Sequence, residues 1–145
     1  MEEVLPNLWI SNLQKANDLI PISSKNISVI VNCSKSYSTC NVDYNYRVPV
    51  SASSGETFHQ CELLYKYLDN AVDFIHEKIM NEKKVLVCCP TGKQQSATVI
   101  SAYIMKYGKV NLNISTNYLY SKIKDVFKPD FIFKNSLEMY QKYLN

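Results

Sequence analysis

Apolar residues recur along this chain in two alternating rhythms. Short β-branched or aliphatic runs predict strands at Val4 to Ile10, Ile27 to Val31, Tyr46 to Val50 and Val85 to Val87. Helical spacing takes over between them. Ser11-Asn12 is a cap signal for a helix over Leu13 to Ile20. Leu64, Leu68, Ala71, Ile75 and Ile79 make one apolar stripe, so residues about 59 to 80 form a long amphipathic helix. Ala97, Ile100, Tyr103, Ile104 and Tyr107 continue the period after Val87, with Gly108 as the stop. A weaker helix is expected over 113 to 124. Pro129 breaks the chain, and Phe133, Leu137, Tyr140 and Leu144 mark a terminal helix. Residues 33 to 45, and Ser51 to Thr57 with its Gly55, read as loops. Strands alternating with helices predict an α/β sandwich around a mostly parallel sheet. No repeat, linker or low-complexity segment interrupts it, so residues 1–145 are read as a single domain.

Composition narrows the function classes. A chain of 145 residues, 46% hydrophobic and 20% charged, suits one domain with a real core. A net charge of +3 is too weak to argue for nucleic acid. No apolar run approaches a membrane span, and the acidic Met1-Glu2-Glu3 opening has the wrong sign for a secretory leader. The five cysteines are an odd number and are expected to be reduced thiols in a cytosol. No CxxC or His-rich spacing suggests a metal, and no cofactor is expected. Sixteen residues are Lys or Arg, of which Arg47 alone is an arginine, so at most one guanidinium can grip a phosphate in fork geometry. Frequent Asn, Ile, Tyr and Lys suggest translation of an AT-rich genome, which many large DNA viruses, some parasites and some bacteria have.

The candidate chemistry lies in Val85 to Ser96, Val-Leu-Val-Cys-Cys-Pro-Thr-Gly-Lys-Gln-Gln-Ser. A buried strand ends at a cysteine, a tight loop with a central Gly92 follows, and a helix begins near Ser96. Such a loop turns backbone N–H groups inward, and the helix N-terminus adds partial positive charge. It suits an oxyanion and favours a thiolate. Cys89 is therefore expected to be an exposed, partly ionised thiol, and Pro90, Thr91, Gly92, Lys93, Gln94, Gln95 and Ser96 are expected to form the phosphate-binding loop. Cys88 reads as a small buried residue, and Cys33, Cys40 and Cys61 as structural ones. His59 and His76 read as surface or cap residues.

The chain resembles the catalytic domain of the small dual-specificity protein phosphatases, including the poxvirus-encoded ones. The resemblance covers nearly all residues. It rests on Leu5-Pro6-Asn7-Leu8-Trp9-Ile10-Ser11, Ala71-Val72-Asp73-Phe74-Ile75, Val85-Leu86-Val87-Cys88-Cys89, Gly92, Ser96 and Ala102-Tyr103-Ile104-Met105. It implies an α/β sandwich with a central, mostly parallel sheet flanked by helices. It also implies four catalytic groups. A cysteine attacks phosphorus, a loop arginine grips two phosphate oxygens, an aspartic acid protonates the leaving oxygen, and a histidine before the cysteine helps set the thiolate. Cys89 matches the nucleophile. Gln95 stands at the arginine position, Cys88 at the histidine position and Ala52 at the aspartate position, in a stretch with no carboxylate between Asp43 and Glu56.

Gln95 donates hydrogen bonds without charge. Losing a charged donor costs roughly 10²–10³ in rate, and losing a general acid about 10²–10⁴. Rescue from Lys93, Arg47, Glu56 or His59 is open on the sequence. Three functions compete: a pseudophosphatase that binds a protein partner, phosphorylated or not; a working or weak phosphatase with a rearranged site; and a cysteine redox or sulfur-transfer protein. No nucleic acid and no membrane is expected among the partners. The expected compartment is the cytosol, of a host if the chain is viral, or a virion.

Overall fold

The computed structural model describes residues 1–52 and 57–145. A five-stranded sheet is built from β1 (Glu2–Leu5), β2 (Leu8–Asn12), β3 (Val29–Asn32), β4 (Tyr44–Arg47) and β5 (Val85–Cys89), in the order β1-β2-β5-β3-β4. The helices are α1 (Leu13–Ala16), α2 (Leu19–Ser24), α3 (Thr57–Met80), α4 (Gln95–Gly108), α5 (Leu112–Lys122) and α6 (Lys134–Leu144). β2, β5, β3 and β4 pair in parallel, and β1 alone runs antiparallel. The sheet is therefore mixed but mostly parallel, as the alternation of strands and helices predicts.

β5 is buried along its whole length because strands pair on both its edges and helices cover both its faces. Its side chains alternate. Val85, Val87 and Cys89 enter the main core with α3, α4, α5 and α6, whereas Leu86 and Cys88 enter a smaller core with Trp9, Ala16, Ile22, Ile27 and Ile30. That period of two separates the adjacent cysteines onto opposite faces.

α4 is the central helix. Every residue from Gln95 to Tyr103 is buried, and its polar members are satisfied internally. Thr98 Oγ1 donates to the Gln94 carbonyl at 2.8 Å, and Ser101 pairs with Ser115 at 2.6 Å. α3 buries the expected stripe of Leu64, Leu68, Ala71 and Ile75 against it.

Several elements differ from expectation. Val4 to Ile10 is a hairpin rather than one strand, because Asn7 turns the chain with φ 67°. In place of one helix over Leu13 to Ile20 there are two short ones, α1 and α2, the second running on to Ser24. Asn12 caps the first, accepting from Lys15 N at 2.9 Å, and Asp18 caps the second, accepting from Ile20 N at 3.1 Å. The fourth strand is Tyr44–Arg47, not Tyr46 to Val50: Pro49 has no N–H to give, and the Val50 amide turns back onto the Val48 carbonyl at 2.8 Å. Gly108 is the last residue of α4, and Lys109 takes the left-handed turn.

Candidate active site

The sheet delivers Cys89 to the C-terminal end of its central strand, where α4 begins. Between them residues 90–94 fold into a tight loop. Gly92 has φ +76°, and a Cβ there would lie 2.8 Å from Asn12 N and from Ser11 C. The end of β2 thus presses on the loop, and only glycine fits. The Gly92 amide donates to Cys89 Sγ at 3.2 Å, and the Ser96 hydroxyl pairs with the same sulfur at 3.0 Å. α4 has no side-chain cap at its N-terminus. Its first amides face the loop, the arrangement that holds an anion.

Cys89 is wholly buried, which corrects the expectation of an exposed thiol. Its sulfur lies under the loop, against the main core. Cys88 is also wholly buried, on the opposite face. Burial first, and the neighbouring Cys89 next, push its thiol up to about 12. Burial likewise holds Cys33, whose amide donates to the Cys88 carbonyl at 2.8 Å, well above an ordinary thiol.

A model of the dual specificity phosphatase catalytic domain matches residues 8–143. The chain belongs to that family. It is 28% identical over 143 residues to the candidate tyrosine phosphatase 123R of Invertebrate iridescent virus 6, covering 99% of this chain and 93% of that one. It is 27% identical to human Dual specificity protein phosphatase 9 over 98% of its own length but only 36% of the human protein's. Among solved structures, human DUSP28 superposes with a TM-score of 0.85 at 21% identity, over 99% of this chain and 97% of that one. The human tyrosine phosphatase-like serine/threonine/tyrosine-interacting protein superposes with a TM-score of 0.80 at 19% identity, over 100% and 98%. These structural likenesses share the fold.

Within this dual-specificity phosphatase fold, a cleft of about 520 Å³ opens beside the loop. Pro90, Thr91, Gln94 and Gln95 line its base, Val50 to Ala52 one side, the 34–37 segment another, and Lys128, Pro129 and Ile132 a third. Gln95 is 2% exposed and donates from Nε2 to the Val50 carbonyl at 3.0 Å. It therefore fills its position as a packed, neutral bridge. Ser51 N donates to Gln60 Oε1 at 3.1 Å, and Ala52 packs partly buried against the main core.

Gln94 faces away from the loop's interior. Its Nε2 donates to the carbonyls of Asp130 at 2.9 Å and Lys128 at 3.3 Å, and its Oε1 accepts from Ile132 N at 3.3 Å. Nothing in the sequence marks this residue as the clamp of a wall contributed by residues more than thirty positions away. Lys35 and Lys128 line the cleft as well and carry no motif signal.

Two of the candidate rescuers, Arg47 and Lys93, are engaged elsewhere. Arg47 donates to the Ser34 carbonyl at 3.0 Å and to the Tyr37 carbonyl at 2.9 Å. Lys93 Nζ faces Asp125 at 4.0 Å. His59 is exposed on the first turn of α3, outside the described walls of the cleft. Glu56, like Ser53, Ser54 and Gly55, lies outside the described residues. His76 stacks on Tyr107 at 3.7 Å between ring centres and pairs with the Tyr103 hydroxyl at 3.2 Å, a packing role. Among the described residues no helix is long and apolar enough to cross a membrane, and no cluster of His, Cys, Asp or Glu could hold a metal ion.

Proposed function

We propose that this dual-specificity phosphatase domain is a pseudophosphatase that binds a phosphorylated protein segment and hydrolyses it slowly or not at all. The observation that carries the reading is Gln95, buried and bonded to the Val50 carbonyl where the family resemblance implies a guanidinium. A neutral amide cannot match charge that develops on phosphoryl oxygens, and its donor already has a partner. Ala52 has no proton to give, and the Ser51 hydroxyl is far too weak an acid to serve a leaving group at neutral pH. Binding is a smaller demand. The Gly92 amide donates to the Cys89 sulfur, the Ser96 hydroxyl pairs with it, and the uncapped N-terminus of α4 follows directly. The five unpaired cysteines suit a reducing cytosol.

The second reading, a weak phosphatase, is favoured by one feature: Cys89 retains a loop amide and a hydroxyl on its sulfur. Phosphate release from an aryl phosphate separates the two. The expected result is release no faster than that of Cys89→Ser; turnover that Cys89→Ser abolishes supports the second reading instead.

A further inference from the structure

The cleft needs positive charge to hold a phosphorylated segment, and neither the position where the family resemblance implies an arginine nor the two basic rescue candidates turn free charge into it. Gln95 is neutral, Arg47 is held by two carbonyls, and Lys93 faces Asp125. We propose that Lys35 and Lys128, on two different walls of the cleft, recognise the partner in place of a loop guanidinium, and that the partner is a phosphorylated segment with acidic residues beside its phosphate. This rests on reading the cleft as a phosphate-binding site.

Both lysines line the cleft and both are exposed. Among the described residues neither ammonium is in an ion pair, and no Asp or Glu lines the cleft. Their backbones are anchored although their side chains reach freely. The carbonyl before Lys35 accepts from Arg47, and Ser34 Oγ donates to Asn32 Oδ1 at 2.6 Å. The Lys128 carbonyl accepts from Gln94, and its amide donates to the Asp125 carbonyl at 3.2 Å. Each wall therefore fixes the point on the backbone from which its lysine reaches.

An ammonium on a flexible stem is a compact point charge with three donors. It suits separate carboxylates better than the paired oxygens a fork would take. The cleft lining also includes apolar Val50, Ala52, Pro129 and Ile132. A phosphotyrosine ring can lie there with its phosphate towards the loop amides. Carboxylates on either flank then meet Lys35 and Lys128. Such exposed pairs act mainly on encounter rate and selectivity and weaken with salt.

The test uses the whole chain and fluorescently labelled phosphotyrosine peptides with acidic or neutral flanks, plus the unphosphorylated acidic peptide. Fluorescence anisotropy reads binding at low and high salt. The acidic phosphopeptide is expected to bind tightest. Lys35→Ala with Lys128→Ala is expected to weaken it about 10–25-fold at low salt, from up to about 5-fold for each exposed pair. The neutral phosphopeptide should change far less. Lys66→Ala with Lys134→Ala removes the same charge elsewhere and should leave binding intact. An equal loss in this control, or no loss in the cleft double variant, overturns the assignment of the lysines while the phosphate-binding reading stands. Equal binding of acidic and neutral phosphopeptides overturns the acidic partner. If no phosphopeptide outbinds the unphosphorylated one, the phosphate-binding reading itself falls.

Discussion

The loop beneath the cleft and the walls around it use their polar groups in opposite ways. Beneath, the Gly92 amide and the Ser96 hydroxyl converge on one sulfur at the end of the central strand. Around it, the side chains of Gln94, Gln95 and Arg47 are spent on the protein's own backbone carbonyls. The loop's shape is set by core packing: α4 is buried almost all round, and β2 presses against Gly92. A chain that keeps this fold keeps the shape of the loop whether or not it catalyses. The groups that would supply charge and a proton are not needed for packing, so neutral residues that bridge loops can stand in their places.

The loop end of this comparison should break most severely at Gly92. In Gly92→Ala the new methyl meets backbone atoms at 2.8 Å, which cannot swing aside, and the φ of +76° is strained for alanine. A loss on the order of 3 kcal/mol or more is expected in urea unfolding. A loss below about 1 kcal/mol would mean that the contact with β2 does not hold the loop.

Gln95 and Ala52 should respond in activity. Gln95→Arg alone is expected to give little turnover, because the acid is still missing. Adding Ala52→Asp, with Cys88→His as a third change, is expected to raise phosphate release from an aryl phosphate by about 10² over the single variant. A folded triple variant that stays inert would show that the Cys89 sulfur no longer sits in an attacking position.

Next is the clamp. Gln94→Ala removes three hydrogen bonds to the 128–132 wall and leaves the Ile132 amide without its partner. About 2 kcal/mol of stability should go, with faster amide exchange confined to that wall. Unchanged exchange there would count against the clamp.

The smallest effect lies away from the cleft, at Asp69. Burial would raise its carboxyl, but hydrogen bonds from Lys106 at 2.8 Å, Tyr140 at 2.7 Å and Tyr143 outweigh burial and hold it below an ordinary aspartate. Its contribution is therefore full above about pH 4 and fades as the pH falls through the lowered folded value. Asp69→Asn should cost about 1 kcal/mol at neutral pH and flatten the acid limb of the stability curve. An unchanged acid limb would mean that this link between α3, α4 and α6 carries no charge-dependent stability.

Most of the frame was legible because it depends on periodic burial. The run Val85 to Val87, the α3 stripe and the Cys89-to-Ser96 loop all follow from spacing and turn chemistry. The hairpin at Pro6-Asn7 had a signal that an apolar window hides: proline followed by asparagine suits a tight turn. The walls were less legible for a physical reason. Gln94 and Gln60 act through long side chains on backbone far away in sequence, and no local pattern encodes that reach. The burial of Cys89 was misread because an anion loop suggests an open thiol, whereas this one closes over its sulfur.

Phosphate binding without hydrolysis can be read in one time course. The protein is mixed in excess with an acidic phosphotyrosine peptide, and bound peptide and free phosphate are followed together. The expected result is a stable bound fraction with phosphate release no greater than that of Cys89→Ser. A bound fraction that decays as phosphate appears, and that persists when Cys89 is replaced by serine, would contradict it.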